Sequence, residues 1–422
     1  MKRGSIPLLL LLILSLPLAA QELTIESCYE QAKNNYPLIK TKALIEQSKE
    51  YSIANIQSGF LPQVSLNAQA TYQSAVTQVP LSVPGFEIET LSKDQYKIYG
   101  EVSQTVYDGG TIKNQKQLTE SSSRIEDQKL EVELYQIRER INQLFFGILL
   151  VEEQTDQVKL LQKDLQRNIN HIESAIRNGT AFKTNLDILH AEYLKAEQRV
   201  IEMNAARHAY LSMLGLFINK SLPESTTLVK PQVLAIVNEP EIVRPELTLL
   251  NYQNDLYKSQ YQLGKTKNLP RVGLFLQAGY GRPALNMLLN DFDTYYIGGV
   301  RLNWTLGGLY NSKRDKELFT LNTQRIEVQR ENFLFNTSLV TNQQQQELDK
   351  LRKLIDVDDQ IIALRERIAK TAEVQQENGV ITTNDYLREL NAEDQAKQSK
   401  LLHEMQLLMA MYAYQNTIGT QN

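Results

Sequence analysis

Residues 61–72 read LPQVSLNAQATY, and residues 269–280 read LPRVGLFLQAGY. At one fixed offset Leu61, Pro62, Val64, Leu66, Gln69, Ala70 and Tyr72 each meet an identical residue in the second copy. Both copies alternate apolar and other residues, the period of a strand with one apolar face. Each is followed by a second alternating segment, a Gly-Gly pair and a very long helical pattern. The chain therefore reads as a duplicated unit of two strands and long helices, with repeat 1 over 21–218 and repeat 2 over 244–422.

Strands are expected at about 63–74, 96–107, 271–281 and 295–306. In the first, Val64, Leu66, Ala68, Ala70 and Tyr72 share one face; in the fourth, Val300, Leu302, Trp304 and Leu306 oppose Arg301, Asn303 and Thr305. Each is about as long as a tilted strand needs to cross a bilayer. Tyr72, Tyr96, Tyr280, Tyr296 and Trp304, at strand ends, suit interfacial girdles. A half-buried soluble sheet has the same period, so the strands alone leave both readings open.

The helices tip the balance. Long helices are expected over 110–177 and 308–377, both free of Pro. In the first, Leu134, Ile137, Ile141, Leu144, Ile148 and Val151, then Val158, Leu161, Leu165, Ile169, Ile172 and Ile176, recur at coiled-coil spacing. Such a helix would extend about 100 Å at 1.5 Å per residue. Each stops at an Asn-Gly turn, Asn178-Gly179-Thr180 and Asn378-Gly379-Val380, because Gly accepts the left-handed conformation cheaply. Return helices follow over 183–217 and 383–418. A shorter helix precedes each strand pair, roughly Thr24–Gly59 and Pro245–Lys267. Residues 219–243, with Pro223, Pro231 and Pro240, read as an inter-repeat linker.

Lys2 and Arg3, the apolar run to Leu18 and Ala19-Ala20 form an expected signal peptide over 1–20. The longest later apolar run, Phe145 to Val151, is far short of the ~20 residues of a helical span. An integral form must then be a closed barrel, since lipid cannot satisfy open sheet edges. A formal net charge of −4 gives no reason to expect nucleic acid. Cys28 is the only cysteine, so no intrachain disulfide forms.

No catalytic, cofactor or metal site is expected, and the chain does not read as an enzyme. The four histidines lack metal-ligand spacing. Gly264-Lys265-Thr266 lacks the first Gly of a phosphate loop, where Ser259 stands. Asp356, Asp358 and Asp359 lack the Gly and distal Glu of a calcium loop and read as a solvated helix face.

The signal peptide, the LPxV lead-in to each first strand, the Gly-containing turns followed by a (D/N)-x-L pattern, and the duplicated helix–strand–strand–long helix–turn–helix order resemble the TolC-like outer membrane efflux proteins. The resemblance spans the mature chain and rests on order and duplication. It implies an α+β membrane protein: a homotrimer whose twelve strands form one β-barrel, continued by a periplasmic α-helical tube. The chain-level reading agrees on one point, that four strands cannot close a barrel alone. Segments 76–93 and 282–294 would be outer loops. The resemblance further implies a periplasmic adaptor and an inner-membrane efflux or ABC transporter as partners, and outer membrane lipid around the strands. It places an aperture near Asp385 and Arg388, where relatives carry two acidic residues, so Arg388 would offset the acidic ring. Asp385 also sits where it would cap the return helix. The turns Asn178, Gly179, Thr180, Asn378, Gly379 and Val380 would dock the adaptor, or serve only as hairpin turns. Gly109, Gly110, Gly307 and Gly308 would permit a sharp change of direction from strand to helix. The alternative is a coiled-coil envelope spacer without a pore, which has no use for four membrane-length strands.

Overall fold

The computed structural model describes residues 22–78, 90–232 and 241–419. The expected signal peptide, the middle of the first outer-loop segment and part of the inter-repeat segment lie outside them. In chain order the elements are α1 (Ile25–Asn35), α2 (Lys40–Gln57), β1 (Gln63–Tyr72), β2 (Asp94–Tyr107), α3 (Thr111–Arg177), α4 (Lys183–Ile218), α5 (Pro245–Thr266), β3 (Arg271–Arg282), β4 (Asp293–Asn303), α6 (Ser312–Glu377) and α7 (Thr383–Ile418). The helix expected over Thr24–Gly59 is in fact broken at Pro37. Tyr36, extended at ψ 133° as a residue before proline prefers, ends α1, and a short 3₁₀ turn over Pro37–Ile39 leads into α2.

Compactness divides the chain across the repeats. One unit comprises 1–39, 133–244 and 336–422; the other comprises 40–132 and 245–335. Each draws on both repeats, and α3 and α6 contribute to both.

The second unit holds the sheet. Its strands lie in the order β1-β2-β3-β4, each antiparallel to its neighbour. The register aligns the alternation of all four. Val64 pairs with Val102, which pairs with Leu276; Ala68 pairs with Ile98, which pairs with Tyr280; Leu274 pairs with Val300 and Val272 with Leu302. Directly opposed residues share a face. The apolar sets therefore merge into one surface, which none of the described residues covers: Val64 is 77 % exposed, Leu66 76 % and Val300 68 %. The opposite face is mostly polar, with Phe275 and Ile297 among its residues. Glu101 accepts from Gln277 Nε2 at 2.6 Å and from Arg301 Nη1 at 3.1 Å. Several residues on that face are glycines. A Cβ on Gly279 would lie 2.6 Å from the Ile98 carbonyl oxygen and from Tyr99 Cβ, and one on Gly281 would lie 2.7 Å from the Tyr96 oxygen. At these two positions a side chain has no room against β2, the close approach that glycine permits where a sheet bends. The register slips at Thr105/Tyr107, where the extra residue Val106 marks a bulge.

The first unit is a helical core. Every member of the α3 stripe from Leu134 to Ile172 is buried, with Ile176 partly so. α1 adds Ile25, Cys28 and Ala32, and burial pushes the Cys28 thiol up to about 12. Phe145, Phe146 and Tyr412 form an edge-to-face and tilted aromatic group at 5.9 and 5.3 Å. In the inter-repeat segment, Leu228 forms a parallel bridge with Leu23.

α6 behaves differently. Leu321, Val328 and Phe335 recur at seven-residue spacing, and Val357, Ile361, Leu364 and Ile368 at four and three, yet all are exposed. Among the described residues this apolar stripe is left uncovered.

Candidate functional site

The two Asn-Gly turns share one backbone design. After α3, Thr180 N–H donates to the Ala175 oxygen at 2.8 Å and Gly179 N–H to Ile176 at 3.0 Å. After α6, Val380 N–H donates to Gln375 at 2.8 Å and Gly379 N–H to Gln376 at 3.0 Å. This is the six-to-one and five-to-two pattern that satisfies the last carbonyls of a helix. Gly179 has φ 71° and Gly379 φ 70°, and a Cβ on either would meet nothing within 4 Å. Glycine is there for the dihedral and not for room.

One hydrophobic cluster joins the two hairpins. It contains Val158, Leu161, Leu165, Ile169 and Ile172 of α3, Leu189 and Ala196 of α4, Ala372 of α6, and Tyr386, Leu387 and Leu390 of α7. Both turns therefore project from the same end of this unit, and Ala181 and Ile381 tuck into the cluster. Tyr386 is buried within it, which raises its hydroxyl to about 12.

The side chains that start the return helices differ. Phe182 precedes α4 with no side-chain cap and is 79 % exposed. Thr382 precedes α7 and completes a capping box with Asp385. Thr382 Oγ accepts from Asp385 N–H at 3.2 Å, and Asp385 Oδ2 accepts from Thr382 N–H at 3.3 Å and from its hydroxyl at 2.7 Å. These bonds, helped by Arg388, hold the Asp385 carboxyl below the usual range. The two residues picked from sequence are thus brought together, with Arg388 Nη1 4.0 Å from Asp385 Oδ1. Arg388 leans more on its neighbour: its Nε donates to Glu389 at 3.1 Å, and Glu389 also takes Arg365 of α6 at 3.1 Å.

Glu389 and Arg365 were not singled out from sequence, since their pairing joins two helices across the turn. Nor was the pairing of the acidic run on α6. The expectation of a solvated face there does not hold for Asp358. It is buried and lies 2.6 Å from His403 Nδ1, while Asp359 takes Lys400 at 2.5 Å. Packing of α7 alongside α6 brings these cations to the carboxylates. Asp394, also buried, takes Arg199 of α4 at 2.8 Å. No His, Cys, Asp and Glu group among the described residues could hold a metal ion.

The two glycine pairs at the strand–helix junctions differ. Gly109 and Gly110 have φ 69° and 78°, and Asp108 caps the start of α3 through Gly110 N–H at 2.8 Å and Ile112 N–H at 2.6 Å. Gly307 and Gly308 are not left-handed but open a 3₁₀ turn over Gly307–Asn311, ahead of α6. There space decides, because a Cβ on Gly308 would lie 2.0 Å from Asn268 Oδ1.

No protein-family profile and no curated protein sequence matches the chain. Solved structures do. The chain superposes on CusC, described for its folding and transmembrane channel formation, with a TM-score of 0.63 at 11% identity, over 94% of this chain and 92% of that one. For the Campylobacter jejuni outer membrane channel CmeC the TM-score is 0.60 at 14% identity, over 94% and 85%. For the open state of the Neisseria gonorrhoeae outer membrane channel MtrE it is 0.61 at 13%, over 94% and 88%. The fold is therefore that of the TolC-like outer membrane channels, strands and helical hairpins together.

Proposed function

We propose that the chain is one of three copies of an outer membrane exit duct, which passes substrates delivered by an inner-membrane transporter through a periplasmic adaptor. One observation carries the reading: a sheet with a continuous bare apolar face, a mostly polar opposite face, and two unpaired edges, β1 and β4. Open edges are forbidden in lipid, so edge must join edge between copies, and three copies give twelve strands, an ordinary even number. The exposed stripe of α6 supports the same assembly, since a neighbouring helix would cover it.

In this duct the Asn-Gly turns lie at the periplasmic end. Asn178, Gly179, Thr180, Asn378, Gly379 and Val380 meet the adaptor, with Phe182 and Val380 as apolar contacts. Asp385 and Arg388 stand at the aperture. Because Arg388 and Arg365 together offset Asp385 and Glu389, the ring is weakly charged and passes ions with little selectivity.

The test is electron microscopy of protein extracted from outer membranes in mild detergent. A three-fold particle with a detergent belt at one end supports the duct. A monomer that needs no detergent refutes it.

A further inference from the structure

We propose that the connection between β3 and β4 is a membrane-interface anchor: its apolar turn lies in the lipid at the outer rim of the sheet. The inference rests on the reading of the sheet as a barrel wall.

The connection carries Leu285, Met287, Leu288 and Leu289, each more than half exposed. Its two asparagines are spent on the connection's own hydrogen bonds, while Asp291, next to Phe292, is exposed. Asn286 Oδ1 accepts from Leu288 N–H at 3.1 Å and its carbonyl from Leu289 N–H at 3.2 Å, an Asx-type turn. Asn290 Oδ1 accepts from Ser92 N–H at 2.9 Å, and its amide donates to Ser92 Oγ at 3.0 Å. Asn286 and Asn290 fasten the turn, and its four large apolar side chains are displayed.

The aromatic rim shows which way the connection leans. Phe292, its last residue, stacks on Tyr280 at 5.4 Å and on Tyr96 at 6.3 Å. Both tyrosines belong to the apolar face, as the pairings Ala70–Tyr96 and Ile98–Tyr280 fix. Arg282 lies on that face opposite Tyr96, its guanidinium 5.6 and 5.2 Å from the Tyr96 and Phe292 rings and paired to Asp94. The connection is thus tied to the lipid side of the sheet, not to its polar side. Its four exposed apolar side chains lie beyond a rim of rings, the Arg282–Asp94 pair and the exposed Asp291. That sequence of band, amphipathic rim and apolar turn matches the acyl–headgroup boundary, where such segments lie in plane.

The experiment uses the full protein in phosphatidylcholine vesicles with and without bromine on the acyl chains. Leu288→Cys carries a bimane fluorophore, and Met287→Cys is labelled in parallel in case one variant fails to fold. Cys28, fully buried, does not compete for the label. Trp304, the only tryptophan, continues the apolar alternation of Val300 and Leu302 and is read in the same sample as a report on the barrel. The anchor predicts about a two-fold loss of bimane emission with brominated lipid and little with aqueous iodide. If Trp304 is quenched by bromine but bimane only by iodide, the turn faces water and the anchor is wrong while the barrel stands. If bimane is shielded from both, a second copy or another protein covers the turn, which also overturns the anchor. If Trp304 itself escapes bromine, the barrel reading fails and the anchor with it.

Discussion

Replacing Leu276 by Arg should cripple the protein in a membrane, while the same change one residue on, Gln277→Arg, should be tolerated. Leu276 lies mid-strand in β3, between Val102 and Gly298 on the apolar face, and is already 52 % exposed in a single copy. A lone copy, or a soluble sheet, would barely notice a cation there, as surface substitutions cost within about 0.5 kcal/mol. On the lipid face at mid-bilayer the cost is about 2–4 kcal/mol per copy, roughly 30- to 900-fold in the folding equilibrium. Gln277 points to the polar face, where its amide donates to Glu101 at 2.6 Å, and an Arg there could make the same bond. The assay is urea unfolding of both variants reconstituted in lipid vesicles, followed by loss of the folded band on an unheated gel. A large loss for Leu276→Arg beside a small one for Gln277→Arg is expected. Equal shifts, in either direction, would refute the assignment of faces and the barrel with it.

Gly379→Ala should destabilise the second turn by about 1–2 kcal/mol, the cost of the left-handed backbone for a residue with a Cβ, since there is no clash to relieve; hydrogen exchange at Val380 N–H should quicken accordingly. Asp385 has a depressed folded value, so its stabilisation of the α7 start is present above the ordinary Asp range and is lost as pH falls through that depressed value. Thr382→Ala removes the main cause, and NMR titration of labelled Asp should show the Asp385 carboxyl rising toward the ordinary range. Arg388→Asp should turn weak ion selectivity into clear cation preference in single-channel recordings; unchanged reversal potentials would remove Arg388 from the aperture. Leu364→Asp should leave the fold of one copy intact, because Leu364 is 52 % exposed, but should lower the trimer fraction on native gels.

What could be seen in the sequence was whatever obeys a local period. The faces of all four strands follow from alternation, and the α3 stripe from three-and-four spacing, because each is set by which side must be apolar. The turns were legible because a left-handed residue after a helix calls for Gly. Asp385 was legible as an acidic residue at the start of the return helix, but its pairing with Thr382, the actual cap, was not read. Contacts between distant segments were not. Asp358 looked solvated because its partner, His403, lies on another helix. The exposed stripe of α6 is as periodic as that of α3, but periodicity does not tell whether the covering helix belongs to the same chain. Gly307-Gly308 resembled Gly109-Gly110, and only Asn268 and the backbone angles separate a need for space from a need for a dihedral.

In the proposed three-copy duct, the glycines on the polar side of the sheet have a consequence for its width. Gly279 and Gly281 leave no room for even a methyl group against the neighbouring strand. The bore is then governed partly by side chains that are not there. Adding one would push β2 and β3 apart and relax the arc, so each stave would subtend a smaller angle and three would no longer meet edge to edge. A substitution meant to narrow the passage would instead spring the ring open, and the defect would appear as failed closure rather than as a slower flow.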